Sequence, residues 1–416
     1  MATVAILTGN HLCHNPRVIK EAGALSDAGY EVKVLGAWFD RSLKKRDHEL
    51  LRNASFDFVP VVDLTEPGFA GSLVRFQCRA RVKVAQMAFR FFGAESPSQL
   101  GYAAAALRDA ALGIQAELYI AHSEAGLAAV SELLRRQCRI GVDMEDWFSE
   151  DLLPESRKAR PLRMLREMER TLLRQSAHST CPSRAMSEAL AREYGCRPPV
   201  VVYNAFPWGD RARLDGRRVD RRDPDMPSIH WVSQTLGHGR GLEDLLAALP
   251  LLKQPAQVHL RGRPVAGFEQ WLREQLPADW RRRVFVHDVI ANDEMLSRIA
   301  EHDVGFAGEK KYCRSRDLTV TNKILHYLCG GLAVVASQTA GQAEIAALAP
   351  GAVFLYPAGD STALAARIDQ LLGDPASLAA AKRAALAAAE RALCWEKQVR
   401  TLIKSAEDAI AGTLDH

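Results

Sequence analysis

Ile229-His230-Trp231-Val232-Ser233-Gln234-Thr235-Leu236-Gly237-His238-Gly239-Arg240-Gly241-Leu242 reads as a buried strand, a glycine-rich loop and the start of a helix. The apolar run from Ile229 to Val232 supplies the strand, and the helix runs on to Leu249. Glycines in such a loop let backbone approach a ligand closely, and a helix N-terminus behind them favours an anion. Arg240 adds a charge-assisted donor for a phosphate. The plainer reading is a glycine-rich turn with a solvated arginine.

The same alternation runs outward in both directions. Downstream, strands are expected at Val258 to Leu260, Val284 to Val286, Val304 to Ala307, Leu332 to Ala336 and Val353 to Leu355. Helices are expected from Asn292 to Ile299, from Lys323 to Leu328, after Asp360-Ser361, and through the alanine-rich Ser377 to Leu393. Upstream, Val4 to Leu7 is a strand closed by Thr8-Gly9-Asn10, and Asn15-Pro16 caps a helix that Gly29 ends. Val32 to Leu35, Phe58 to Val62, Leu118 to Ala121 and Ile140 to Val142 continue the sheet. The pattern breaks between Val200 and Asp225, a polar, basic connection. Strands and helices alternating on each side of that break predict an α/β protein with two doubly wound, Rossmann-like parallel sheets. The expected domains are residues 1–204, joined by a returning helix over 395–416, and residues 205–394. Two such domains are expected to face a cleft at the carboxyl ends of their strands.

Composition narrows the function. The chain has 416 residues, 48% hydrophobic and 25% charged, with a formal net charge of +4. So mild a charge does not call for nucleic acid, but it suits nucleotide diphosphates or lipid phosphates. The eight cysteines are scattered without metal-ligand spacing, which reads as free thiols in a reducing compartment. The N-terminus reads as a first strand rather than a signal peptide, and no stretch is apolar enough to span a bilayer, so a cytoplasmic protein is expected.

A second stretch carries chemistry. Thr321-Asn322-Lys323-Ile324-Leu325-His326 opens a helix that leads to the buried strand before Ser337. Its N-terminus suits phosphate, and Lys323 and His326 share a face. Taken alone, His326 reads rather as a packing histidine, and the plainer reading of Lys323 is a surface cation.

In the order and spacing of its motifs the whole chain resembles the retaining GT-B glycosyltransferases that use nucleotide sugars, of the group 1, family 4-like kind. The resemblance rests on Asn15-Pro16-Arg17-Val18, Gly29-Tyr30-Glu31-Val32, Asp143-Met144-Glu145-Asp146, Val201-Val202-Tyr203-Asn204, Asn322-Lys323 and Gly331-Leu332-Ala333-Val334-Val335-Ala336-Ser337. It is supported by Ala343-Glu344-Ile345 and Pro357-Ala358-Gly359-Asp360. The resemblance implies an enzyme that moves a sugar from a nucleotide-diphosphate sugar to an acceptor hydroxyl, with retention and without a metal or cofactor. It places Gln234, Thr235, Gly237 and Arg240 at the donor diphosphate, with Arg263 supplying the charge that Gln234 lacks. It places the base against Val289, and Thr321, Asn322 and Lys323 at the donor helix. His326 and Leu318 stand where the family usually has glutamates; His326 is implied at the ribose hydroxyls. His122 matches a histidine near the transferred sugar and is implied, with Arg240, to be catalytic, its plainer reading being a structural strand-end histidine; Gly9 and Asn10 match the first loop facing donor or acceptor, and Arg17 and Glu145 fall on the acceptor side. A glycan or lipid-linked acceptor of bacterial-type assembly is implied, and no nucleic acid.

The basic, apolar segment 73–92 reads either as one that lies on an anionic membrane or holds an anionic acceptor, or as a helix with one core face and one solvated basic face. Two readings compete with transfer: a nucleotide-sugar epimerase using Glu145 and His122, and a noncatalytic nucleotide-sugar-binding protein.

Overall fold

A computed structural model describes residues 1–239 and 241–412. Chain contacts divide them into two units, residues 1–202 with 399–412, and Tyr203–Gln398.

The first unit holds a seven-stranded sheet of β1 (Thr3–Leu7), β2 (Glu31–Trp38), β3 (Asp57–Asp63), β4 (Leu118–Ala121), β5 (Ile140–Asp143), β6 (His178–Cys181) and β7 (Val200–Val201). Every pair is parallel and the order is β3-β2-β1-β4-β5-β6-β7. All five residues of β1 are buried, and its apolar run Val4–Leu7 is what a strand between two helical layers requires. The helix Pro16–Asp27 starts where its sequence dictates: Asn15 Oδ1 accepts from the Val18 N–H at 3.2 Å, and Pro16 occupies the first turn. Val18, Ala22 and Leu25 of that helix pack with Val4, Ile6 and Ile120 of the sheet.

The second unit holds a six-stranded parallel sheet of β8 (Ser228–Leu236), β9 (Gln257–Pro264), β10 (Val284–His287), β11 (Val304–Ala307), β12 (Ala333–Ser337) and β13 (Val353–Tyr356), in the order β10-β9-β8-β11-β12-β13. Its core gathers Trp231, Leu260, Phe268 and Phe306. β8 runs further than the apolar run suggests. A register shift between Val232 and Thr235 lets it continue beside β9, so Gln234 and Thr235 belong to the strand rather than to the loop. The alanine-rich helix covers Pro375–Ala388 and then widens into a π turn over Ala389–Leu393.

The last described helix, Trp395–Ala411, begins in the second unit and passes to the first at Val399. There Ala406 and Ala409 join the core around β1, and Ser405 Oγ shares a 2.9 Å hydrogen bond with His178 Nδ1. Among the described residues no helix is long and apolar enough to cross a membrane.

Candidate active site

In the second unit the chain leaves β8 towards β9 and leaves β11 towards β12. A crevice therefore opens between their following loops, the usual ligand position of an open parallel sheet. The two loops touch backbone to backbone. Gly241 has φ +78°, and a Cβ there would lie 2.5 Å from the Gly308 carbonyl carbon, so no side chain fits. Thr235 stands opposite Arg263 in the β8–β9 register, and Gln234, Thr235 and Arg263 are all exposed. Gly237 lies against Val265, and Val289 is 47% exposed beyond β10. Arg240 lies outside the described residues. The glycine loop is less open to an anion than its composition suggests, because the Gly239 N–H already donates to Glu243 Oε1 at 2.6 Å.

The helix Asn322–Gly330 reaches the same edge of the sheet. Asn322 is exposed at its start, and the Thr321 hydroxyl is buried without a hydrogen bond. Lys323 is buried: its Nζ lies 2.9 Å from Glu309 Oε1 and 5.0 Å from the centre of the Trp231 ring. Glu309, two residues beyond β11, is fixed in turn by its N–H donating to Ser337 Oγ at 2.8 Å. His326 stacks on Phe206, with ring centres 3.7 Å apart and planes 11° from parallel.

In the first unit the equivalent crevice falls between β1 and β4. The Gly9 N–H donates to Ser123 Oγ at 3.0 Å, and Asn10 is exposed. Ser123 has φ +66°, a left-handed conformation that costs a non-glycine residue about 1 kcal/mol or more. The charged residues behind this loop are bound to one another. Arg17 Nε donates to both Asp143 oxygens at 2.8 and 2.7 Å, and its Nη1 donates to the Val202 carbonyl at 2.6 Å. His122 is fully buried, with Nε2 2.5 Å from Glu21 Oε2 and Nδ1 3.9 Å from Glu145 Oε2. Burial opposes its charge, but the carboxylates of Glu21 and Asp143 prevail and raise its pKa to about 10. Glu145 keeps 21% of its side chain exposed.

Among the described residues, two buried acid–histidine groups are compact enough to bracket an ion: Glu21, His122 and Asp143, and Asp220, Glu301 and His302. Arginines answer the carboxylates in both, Arg17 on Asp143, Arg261 on Asp220 and Arg298 on Glu301.

The fold has counterparts among known proteins. The chain superposes on sucrose-phosphate synthase from Thermosynechococcus elongatus with a TM-score of 0.71 at 15% identity, covering 99% of this chain and 100% of that one. HepE from Anabaena, solved in complex with UDP-glucose, gives 0.67 at 17% identity over 98% and 100% of the two chains. A UDP-forming trehalose-phosphate synthase from Burkholderia xenovorans gives 0.68 at 12% identity over the whole of both. These likenesses establish the GT-B fold. No curated protein matches the sequence. Residues 227–374, which hold the crevice of the second sheet, match the family model described as Glycosyl transferases group 1. That stretch is of the Glycosyl transferases group 1 kind, set in a chain with the GT-B fold. The match makes the chain an enzyme of glycosyl transfer.

The transferase brings together Thr235 with Arg263 and Gly9 with Ser123, while enclosing His122 and Arg17 in a buried network. Three contributors are not evident from sequence: Glu309, Gly308 and Ser123. Each follows the carboxyl end of a strand, β11 or β4, and that position is the one signal that marks them.

Proposed function

We propose that the transferase binds the diphosphate of a nucleoside-diphosphate sugar at the carboxyl ends of β8 and β9. Arg240 and Arg263 supply charge there, and Gln234, Thr235 and Gly237 line the approach. Val289 packs the base, while Thr321, Asn322, Lys323 and His326 contact the donor from the helix side. The uridine nucleotides named for HepE and the trehalose-phosphate synthase make a uridine diphosphate hexose the first donor to test. As the bond to the anomeric carbon breaks, charge grows on the β-phosphate. Fixed N–H groups and guanidinium groups stabilise it there in place of a metal or cofactor, and the transfer retains the anomeric configuration, as the family resemblance implies. Gly9, Asn10 and Glu145 present the acceptor hydroxyl. Arg17 acts through Asp143 to hold that edge of the first sheet, and His122 keeps its charge beside Glu21. The acceptor is a glycan or lipid-linked molecule of bacterial-type assembly, met at the inner face of a membrane that segment 73–92 touches.

The observation that carries this reading is the exposed Arg263 beside Thr235, inside the stretch that matches the family model. Titration calorimetry with uridine and guanosine diphosphates, with and without a chelator, tests it. Tight binding that survives the chelator and falls in Arg240→Ala and Arg263→Ala is expected. Wild-type affinity in both variants places the diphosphate elsewhere.

A further inference from the structure

The helix Gly68–Phe92 of the first unit is 25 residues long, and only Gly71 and Ala85 on it are buried. It has two apolar faces. Gly71, Cys78, Val82, Ala85 and Phe89 recur at helical spacing and are the more buried residues. On the opposite side Phe69, Leu73, Phe76, Val84, Met87 and Phe91 form a second stripe, all of them exposed, with Phe69 at 86% and Phe76 at 69%. At 1.5 Å per residue that stripe is roughly 33 Å long. A soluble helix normally turns charge to water on this side.

The charges on this helix are of one sign. It carries Arg75, Arg79, Arg81, Lys83 and Arg90, and neither Asp nor Glu. Arg75 donates to the Glu66 carbonyl at 2.5 Å, whereas Arg79, Arg81 and Lys83 form no ion pair among the described residues. Lys83, Arg79 and Arg90 flank one edge of the stripe. Beside it opens a cavity of about 540 Å³, lined by Arg75, Phe76, Arg79, Lys83, Gln86 and Tyr102. A second copy of this helix is a poor occupant, since docking the two would bring cations against cations. A bilayer with anionic headgroups fits: its acyl boundary takes the aromatic stripe and its phosphates take the charge.

We propose that Gly68–Phe92 is an interfacial anchor lying in the plane of an anionic phospholipid bilayer, with a lipid phosphate in the Arg79–Lys83 cavity. This deepens the reading that segment 73–92 meets a membrane, and nucleotide-sugar binding stands or falls separately.

Sedimentation of the full chain with vesicles tests it, comparing pure phosphatidylcholine with an equal mixture of phosphatidylcholine and phosphatidylglycerol. The protein is expected in the pellet with the anionic vesicles only. Arg79→Gln with Lys83→Gln should weaken binding by about thirtyfold, at about one kcal/mol per cation. Phe76→Ser with Phe91→Ser should weaken it by about tenfold or more. Both pairs are exposed, so the melting temperature should not move; if the serine pair does unfold, Phe91→Ser alone serves. Full recovery in the supernatant with both vesicle types overturns the proposal, as does equal binding to neutral vesicles. A dimer in light scattering that the serine pair dissociates, without vesicle binding, overturns it in favour of self-association. Calorimetry with uridine diphosphate on the same samples reports donor binding independently.

Discussion

The two sheets treat histidine in opposite ways. In the first unit His122 lies against Glu21 and is held as an imidazolium, its pKa raised to about 10 despite burial. In the second unit His230, His259, His287 and His302 crowd together. His230 stacks on His302 at 4.5 Å and His259 Nδ1 lies 2.9 Å from His287 Nε2. Burial, aided by neighbouring positive charge, pushes all four down: His287 to about 4, His259 to about 2, and His230 well below its ordinary value. The same side chain at similar depth is charged in one place and neutral in the other. What differs is whether the nearby carboxylates outweigh burial and neighbouring positive charge. Glu21 pairs with His122, whereas Asp220, 3.3 Å from His287, is shared with Arg261, and burial with neighbouring cations outweighs it.

The strongest way to break this comparison is to remove the charged ring. His122→Phe leaves Glu21 buried without its main partner and should cost about 3–5 kcal/mol, read as a shift of the denaturant midpoint. A loss below about 1 kcal/mol would mean that His122 is neutral. pH sharpens the comparison next. His122 contributes fully below its ordinary pKa near 6.5, and its contribution fades as pH rises towards about 10. The second unit behaves in reverse, because histidines kept neutral by the fold contribute above pH 6.5 and lose that contribution as pH falls towards about 4. Each histidine that refuses its proton should steepen the acid loss by about 1.4 kcal/mol per pH unit. Hydrogen exchange followed separately in β4 and β8 should show the first weakening on the alkaline side and the second between pH 6.5 and 4.5. Parallel behaviour in both strands would refute the comparison. The smallest effect is expected at His230, whose two ring nitrogens have no hydrogen-bond partner. His230→Phe should change stability by no more than about 1 kcal/mol, since it exchanges an unsatisfied polar ring for an apolar one of similar shape.

Among the candidate site residues, those legible in the sequence are those whose role depends on local geometry. Gly9, Gly237 and Gly241 announce loops after strands, and Asn322-Lys323 announces a helix start. Residues whose state depends on a distant partner were not legible in this way. Arg17 gives no sequence sign that it will close on Asp143, and His122 none that it will meet Glu21. His326 is a comparable case, because its stacking partner Phe206 comes from the connecting segment.

Period and punctuation in the chain were enough to set the alternation of strands and helices and the glycine loop after β8. Each is a matter of neighbours a few residues apart, where backbone sterics and helical spacing act directly. Tertiary structure alone decided which charges cancel one another and which face of Gly68–Phe92 points to water. Those outcomes turn on electrostatics and burial among groups on different elements, such as Glu21 with His122 and Glu309 with Lys323. On that helix both faces carry apolar residues, and only packing shows which of them the protein keeps for itself.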